Sequence, residues 1–167
     1  MRKLFIGIII LVIGLISGCS TSITDQEKNA IKNVNEVFIS KPKAADKTVK
    51  HIQLFLPFGM SIQKQSPNNV IMKRGSQNYI LFYNQKENKK SKELYEISKP
   101  NKGLLIDKHF SAKEKYGFLF ISQVKKDLYE VTVGIGGIKM TTLTSTKHIA
   151  SDAEKMMKIV SSVEYKK

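Results

Sequence analysis

The sequence has only one cysteine and only two arginines among its 167 residues. A lone cysteine excludes an intramolecular disulfide, so the fold must be stabilised by its core. With so little arginine, lysine carries nearly all of the formal net charge of +14. Lysine is a hydrated point charge, whereas specific phosphate and base recognition favours the arginine fork. The composition therefore indicates solubility and diffuse attraction to anionic surfaces, and no aromatic-interleaved basic motif points to a nucleic-acid partner.

Motifs of the common catalytic classes are also missing. Three single histidines, His51, His109 and His148, lack paired metal-ligand spacing, and no Gly-x-Ser-x-Gly sequence is present. Asp107 and His109 lie two apart on a predicted strand and form the one acid–imidazole pair worth naming, although a solvated strand edge is the favoured interpretation. The sequence predicts no catalytic residue, no metal site and no cofactor.

The N-terminus has the layout of a signal peptide. Arg2 and Lys3 are followed by residues 4–18, which contain no charged side chain, and Cys19 comes next. A membrane-spanning helix needs about 20 apolar residues, so this run is short for a permanent span and suits the apolar region of a signal peptide.

The residues Ile16-Ser17-Gly18-Cys19 resemble the lipobox of bacterial lipoprotein signal peptides. The resemblance implies cleavage between Gly18 and Cys19 and attachment of a diacylglyceryl group, with acyl chains such as palmitate, to the Cys19 thiol. Two acyl chains hold a protein stably on a membrane. We therefore expect a location at the extracytoplasmic face of the cell membrane. The alternatives are an ordinary secretory peptide or an uncleaved anchor in which the cysteine is incidental.

The chain accordingly divides into three parts. Residues 1–18 are the predicted signal peptide, residues 19–23 the lipidated tether, and residues 24–167 a single domain. A domain of that size buries about 70% of its unfolded surface, which is enough to stand without cross-links.

Two helices are predicted at the ends of this domain. The first opens with the capping-box pattern Thr24-Asp25-Gln26-Glu27 and ends before Ser40. The second opens with Ser151-Asp152-Ala153-Glu154, runs to about Val163, and turns an apolar stripe with Met156 and Met157 inward. A short helix over Ser91–Ser98 is expected between them.

Alternating and continuous apolar runs predict the strands. Their ranges are 48–56, 61–65, 70–73, 78–83, 104–110, 116–124, 128–135 and 138–144. Gly136-Gly137 predicts a two-residue hairpin in which Ile135 pairs with Ile138 and Val133 with Met140. The run Phe118-Leu119-Phe120-Ile121 is the most buried strand expected.

This order of elements predicts an α+β fold, a mostly antiparallel sheet packed by an N-terminal and a C-terminal helix. The mature domain also resembles PsbP-like small lipoprotein domains, through Leu56-Pro57-Phe58-Gly59 and the ending Ile159-Val160-Ser161-Ser162-Val163. That resemblance implies the same fold and no functional residue.

Three hypotheses follow for function. The leading one is a membrane-anchored, non-catalytic binding module whose partner is an envelope protein or an anionic polymer. The alternatives are a small-ligand carrier with a cleft between sheet and helices, and a cell-wall-active enzyme. Lys86, Lys89, Lys90 and Lys92 are the candidate contact to anionic polymer or lipid headgroups, the other interpretation being an ordinary solvated loop.

Overall fold

Two antiparallel sheets and three α-helices form residues 22–166, the part of the chain described by the computed structural model. The predicted α+β class is confirmed. The helices are α1 (Ile23–Ile39), α2 (Glu93–Ser98) and α3 (Ile149–Ser162), and a 3-10 turn (Thr146–His148) precedes α3. The strands are β1 (Lys47–Val49), β2 (Ile52–Leu54), β3 (Ser61–Gln65), β4 (Asn69–Arg74), β5 (Gln77–Tyr83), β6 (Leu104–Ala112), β7 (Lys115–Lys125), β8 (Leu128–Ile135), β9 (Ile138–Thr144) and β10 (Glu164–Tyr165).

Seven of the strands form one sheet in the order β3-β4-β5-β9-β8-β7-β6, and β1, β2 and β10 form a small second sheet. Most neighbours in the large sheet are also neighbours in sequence. The exception is the pair β5–β9, in which Tyr79 lies opposite Thr142. This long-range pairing joins the first three strands to the last four.

The hairpin between β8 and β9 has the predicted register. Ile135 pairs with Ile138 and Val133 with Met140, with the turn at Gly136-Gly137. Gly136 has φ +52°, a left-handed conformation that glycine adopts without steric cost. The prediction succeeded because a shift of one residue would have turned the apolar set of both strands toward the wrong face.

Both long helices pack on the same face of the large sheet, which we call the inner face. Ala30, Val34 and Phe38 are the buried residues of α1, and the α3 residues Met156 and Met157 are fully buried, as their spacing predicts. The run Phe118–Ile121 is likewise at most 1% exposed. The space between sheet and helices is therefore occupied by side chains.

The opposite, outer face is covered only in part. The short helix α2 places Leu94 over Phe118 and Phe120, and these three residues form a second, smaller core. Gly134 makes room for this cluster, since a Cβ there would lie 2.3 Å from the Phe118 ring. Away from α2 the outer face lies open.

The structure corrects three boundaries predicted from the sequence. α1 begins at Ile23 with Ser22 as its cap, because the Ser22 hydroxyl accepts a hydrogen bond from the Asp25 amide at 3.0 Å. Ile23, which was assigned to the tether from the sequence, is therefore helical. The strand predicted over residues 48–56 is broken into β1 and β2 by a turn in which Lys50 has φ +49°.

The third correction concerns the start of α3. The helix begins at Ile149, two residues before the predicted cap at Ser151, and His148 precedes it without a capping side-chain bond. The Ser151 hydroxyl donates to the carbonyl of His148 at 3.0 Å. Asp152 is free of any capping role because it lies inside the helix and points into the protein, where it is 3% exposed.

Asp152 joins α3 to the sheet through a buried polar cluster. Its carboxylate accepts hydrogen bonds from the Tyr79 hydroxyl at 2.8 Å, the Thr144 hydroxyl at 2.7 Å, the Gln77 amide at 2.9 Å and the Lys155 ammonium at 2.8 Å. Burial alone would raise the pKa of Asp152, but these four donors hold the pKa below its ordinary value. A buried charge with all its acceptor sites satisfied fixes the register of the helix on the sheet.

We expect Asp152→Ala to lower the free energy of unfolding by about 3 kcal/mol or more, since it leaves Lys155 and three polar donors without their acceptor. Because the folded-state pKa is lowered, the contribution of Asp152 is present above the pKa of the unfolded carboxyl and is lost as the pH falls through the folded one. Denaturant unfolding at pH 7 and in acid measures both effects.

Glu154→Gln is the matched control on the same helix. Glu154 forms a half-exposed pair with Lys158 at 2.5 Å, and loss of such a pair costs less than about 1 kcal/mol. If both variants lost the same free energy of unfolding, the Asp152 cluster would contribute no more to stability than a surface ion pair.

Candidate functional site

The predicted cleavage and lipidation residues, Gly18 and Cys19, lie outside the described residues. The first described residue is Ser22, three positions after Cys19, and it already caps α1. Cleavage after Gly18 and acylation of Cys19 therefore stay predictions. Within residues 22–166, no helix has both the length and the hydropathy needed to cross a membrane.

The four candidate lysines lie on the loop between β5 and α2, which we call the lysine loop (residues 84–92). Lys86, Lys89, Lys90 and Lys92 are all exposed. The Lys90 ammonium is 2.9 Å from the carboxylate of Glu114, and the Lys92 ammonium lies 5.2 Å from the centroid of the Tyr116 ring. The four lysines are therefore exposed along one loop, and Lys90 is paired with Glu114.

This loop is held by hydrogen bonds of its own. The Glu87 carboxylate accepts from the side-chain amide of Asn84 and from the Ser91 hydroxyl, both at 2.8 Å. Two backbone bonds tie the loop to the sheet, because the backbone amide of Asn84 donates to the Gly137 carbonyl and that of Tyr116 donates to the Lys89 carbonyl, each at 2.8 Å. The lysines are thus displayed from a fixed backbone.

The Asp107–His109 pair does not form an acid–imidazole dyad. Asp107 instead accepts hydrogen bonds from Lys99 and from the Tyr95 hydroxyl, the latter at 2.9 Å. Burial raises the pKa of Asp107, but these two bonds outweigh it and leave the pKa lowered. His109 stacks on Tyr116 with ring centroids 5.8 Å apart. The two side chains share the outer face as predicted, and Tyr95 lies against both, since its ring centroid is also 6.2 Å from that of His109.

The other histidines are also separated. His51 is exposed after β1, and His148 is exposed before α3, where its ring lies 3.5 Å from the Ser145 hydroxyl. Across the described part of the chain, no three His, Cys, Asp or Glu side chains come together as a metal site would require.

A concavity of about 640 Å³ lies on the open part of the outer face, over β5, β9 and the start of β8. We call it the outer groove. Its apolar floor includes Ile80 and Leu143, which are 47% and 50% exposed. Glu130 lies opposite Leu143 on the neighbouring strand, and Thr141 lies opposite Ile80. Asn78, Ser145 and His148 are among the other polar residues of the lining.

The arrangement of the outer groove suits contact with a macromolecule. Half-exposed apolar side chains flanked by hydroxyl, amide and carboxylate groups are the composition of a protein interface, with an apolar centre and a polar rim. Contact with water is unfavourable for aliphatic side chains on the open face of a sheet, and burying them against the surface of a partner would be favourable.

Sequence reasoning did not identify this groove. Apolar residues on both faces of the strand over residues 78–83 predict a central position, and β5 does lie inside the sheet. The same pattern could have indicated an open sheet face. Ile80 faces away from both long helices, and the third predicted helix is too short to cover the whole of that face.

Neither a protein-family model nor a curated protein matches this sequence.

We expect Gly136→Ala to loosen the lysine loop, because a Cβ there would lie 2.3 Å from the Asn88 carbonyl oxygen and 2.6 Å from the Lys89 Cα. The control is Gly75→Ala, since Gly75 has a similar φ of +58° and no neighbouring atom within 4 Å. Both variants bear the left-handed cost of about 1–2 kcal/mol. The overlap in Gly136→Ala should add about 2 kcal/mol.

Thermal unfolding measures the difference in stability, and hydrogen exchange at the loop amides measures the loosening. Faster exchange in Gly136→Ala alone is the expected result. Equal stability and equal exchange in both variants would show that the loop does not depend on its contact with the hairpin.

Proposed function

We propose that this chain is a lipid-anchored, non-catalytic interaction module of the bacterial envelope. Cys19 carries the anchor, and the domain of residues 22–166 lies at the extracytoplasmic face of the membrane. The outer groove binds a protein partner there through its apolar floor.

The open outer face is the observation that supports an interaction role. Both long helices cover the inner face, so Ile80 and Leu143 stay half exposed in the middle of the sheet rather than at its edge. Half-exposed aliphatic side chains that line one groove in the middle of a sheet face mark a candidate interaction surface.

A small-ligand carrier is the second candidate. The volume of the outer groove, about 640 Å³, is in the range of small-molecule sites. Such sites enclose most of their ligand, whereas the floor of this groove is half exposed and the space between sheet and helices is filled by Phe38, Met156 and Met157. These observations favour a macromolecular partner.

The anchor is tested with Cys19→Ala in cells fed labelled fatty acid. We expect incorporation of label to be lost and an unprocessed precursor to accumulate, because the thiol is the acceptor of the lipid. Ser20→Ala is the control and should be labelled like the original chain. Continued labelling of Cys19→Ala would contradict the anchor.

The interaction surface is tested by replacing Leu143 with a photo-crosslinking residue in intact cells. We expect a discrete protein adduct whose yield falls about tenfold when Ile80→Asp is added, because a charge on the apolar floor removes the centre of the interface. Circular dichroism of the double variant checks that the sheet is intact.

The control places the same crosslinker at Ile39, an aliphatic residue at the end of α1 that is 67% exposed and thus more accessible than Leu143. This position should give no adduct of that mass. The same adducts from both positions, or adducts from Leu143 that Ile80→Asp leaves unchanged, would contradict the proposed surface.

A further inference from the structure

We infer that the lysine loop faces away from the membrane and binds an anionic envelope polymer, one with repeated phosphate or carboxylate groups, rather than lipid headgroups. The direction of the loop rests on the proposed Cys19 anchor. The polymer contact rests on the loop itself.

Helix α1 separates the predicted anchor from the lysine loop. Only residues 20 and 21 separate Cys19 from the cap residue Ser22, so the lipidated position lies within about 11 Å of the start of the helix. This start is packed against the beginning of α3, where the Ala150 amide donates to the Gln26 side chain at 3.0 Å. The same end of the molecule therefore lies nearest the bilayer.

The lysine loop lies at the other end of α1. Lys115, the first residue of β7, donates from its ammonium group to the Phe38 carbonyl in the last turn of α1, and the next residue, Tyr116, donates its amide to Lys89. The helix of 17 residues is about 25 Å long. The lysine loop is accordingly separated from the anchored end by about the length of α1.

A short tether limits how far the domain can turn back toward the bilayer. Surface attraction between lysines and anionic lipids falls off within one Debye length, about 8 Å at physiological ionic strength. When α1 points away from the membrane, the lysine loop lies about 25 Å from the anchored end, which is beyond the Debye length. Headgroups are therefore the less suitable ligand.

The charge around the loop favours a polyanion. Lys86 and Lys89 form no ion pair within residues 22–166, and Lys92 faces the ring of Tyr116. Burial, and secondly the charge of Lys89, lowers the pKa of the nearby Lys115, so like charges lie close together at this end. Glu87 is turned inward to Asn84 and Ser91.

The exposure of the lysines favours a polymer over a small anion. Lys86, Lys89, Lys90 and Lys92 are all exposed along one loop, and each is a separate point charge. Several separate point charges on a fixed backbone bind a chain of anions by releasing its counterions, and such binding weakens steeply with salt.

The first experiment measures binding of the mature chain to long-chain inorganic polyphosphate. We expect the triple variant Lys86→Gln/Lys89→Gln/Lys92→Gln to bind about tenfold more weakly at low salt and to show a flatter salt dependence. The control Lys28→Gln/Lys32→Gln/Lys64→Gln removes three exposed lysines elsewhere and should bind within about twofold of the original chain. Equal losses in both triple variants, or no binding by the original chain, would overturn the polymer contact.

The second experiment measures direction on vesicles that contain phosphatidylglycerol. Since Cys19 is the only cysteine, Gln85→Cys in the lysine loop and Thr24→Cys at the start of α1 each supply a unique free thiol for a fluorophore once Cys19 is acylated. Headgroup spin labels should quench the label at residue 24 and spare the label at residue 85. Equal quenching at residue 85 would assign the loop to headgroups and overturn the inference.

Failure of the anchor has a different signature. A chain that does not float with the vesicles at high salt contradicts the lipidation of Cys19, whereas the polyphosphate comparison still decides whether the loop binds polyanions.

Discussion

The packing of α1 and α3 on one face of the seven-stranded sheet is the constraint on which the rest of the structure depends. Phe38 reaches the sheet only because Gly117 has no side chain, since a Cβ there would lie 2.7 Å from the Phe38 ring. Asp152 fixes α3 to β5 and β9 through its buried hydrogen bonds. Because both helices use the inner face, the outer groove stays open and the two ends of α1 point to opposite ends of the domain.

Local sequence patterns predicted most of the secondary structure. The β8–β9 hairpin was predicted with its full register, because apolar side chains alternate on both strands around Gly136-Gly137. The helix stripes were also readable, since Ala30, Val34 and Phe38 recur at helical spacing. Helix starts were predicted less accurately. Ser22 and Asp25 have the same spacing of capping residues as the capping box that was predicted to begin two residues later, at Thr24.

The features that could not be predicted from the sequence depend on tertiary contacts. Nothing local distinguishes the buried Asp152 from an ordinary capping aspartate, and its role appears only when Tyr79 and Gln77 arrive from a strand more than 70 residues away. The outer groove likewise depends on the long-range pairing of β5 with β9, which places Ile80 beside Thr141. The lysines could be found from the sequence, but their distance from the anchored end required the course of α1.

The proposed function depends on one covalent modification, the lipid on Cys19. A lipid on Cys19 would hold the start of α1 at the bilayer and direct the lysine loop outward. The most direct test is the mass of the N-terminal peptide of the chain purified from membranes. The account predicts a peptide that begins at Cys19 and carries a diacylglyceryl group. A peptide that begins at Met1, or an unmodified cysteine, would contradict it.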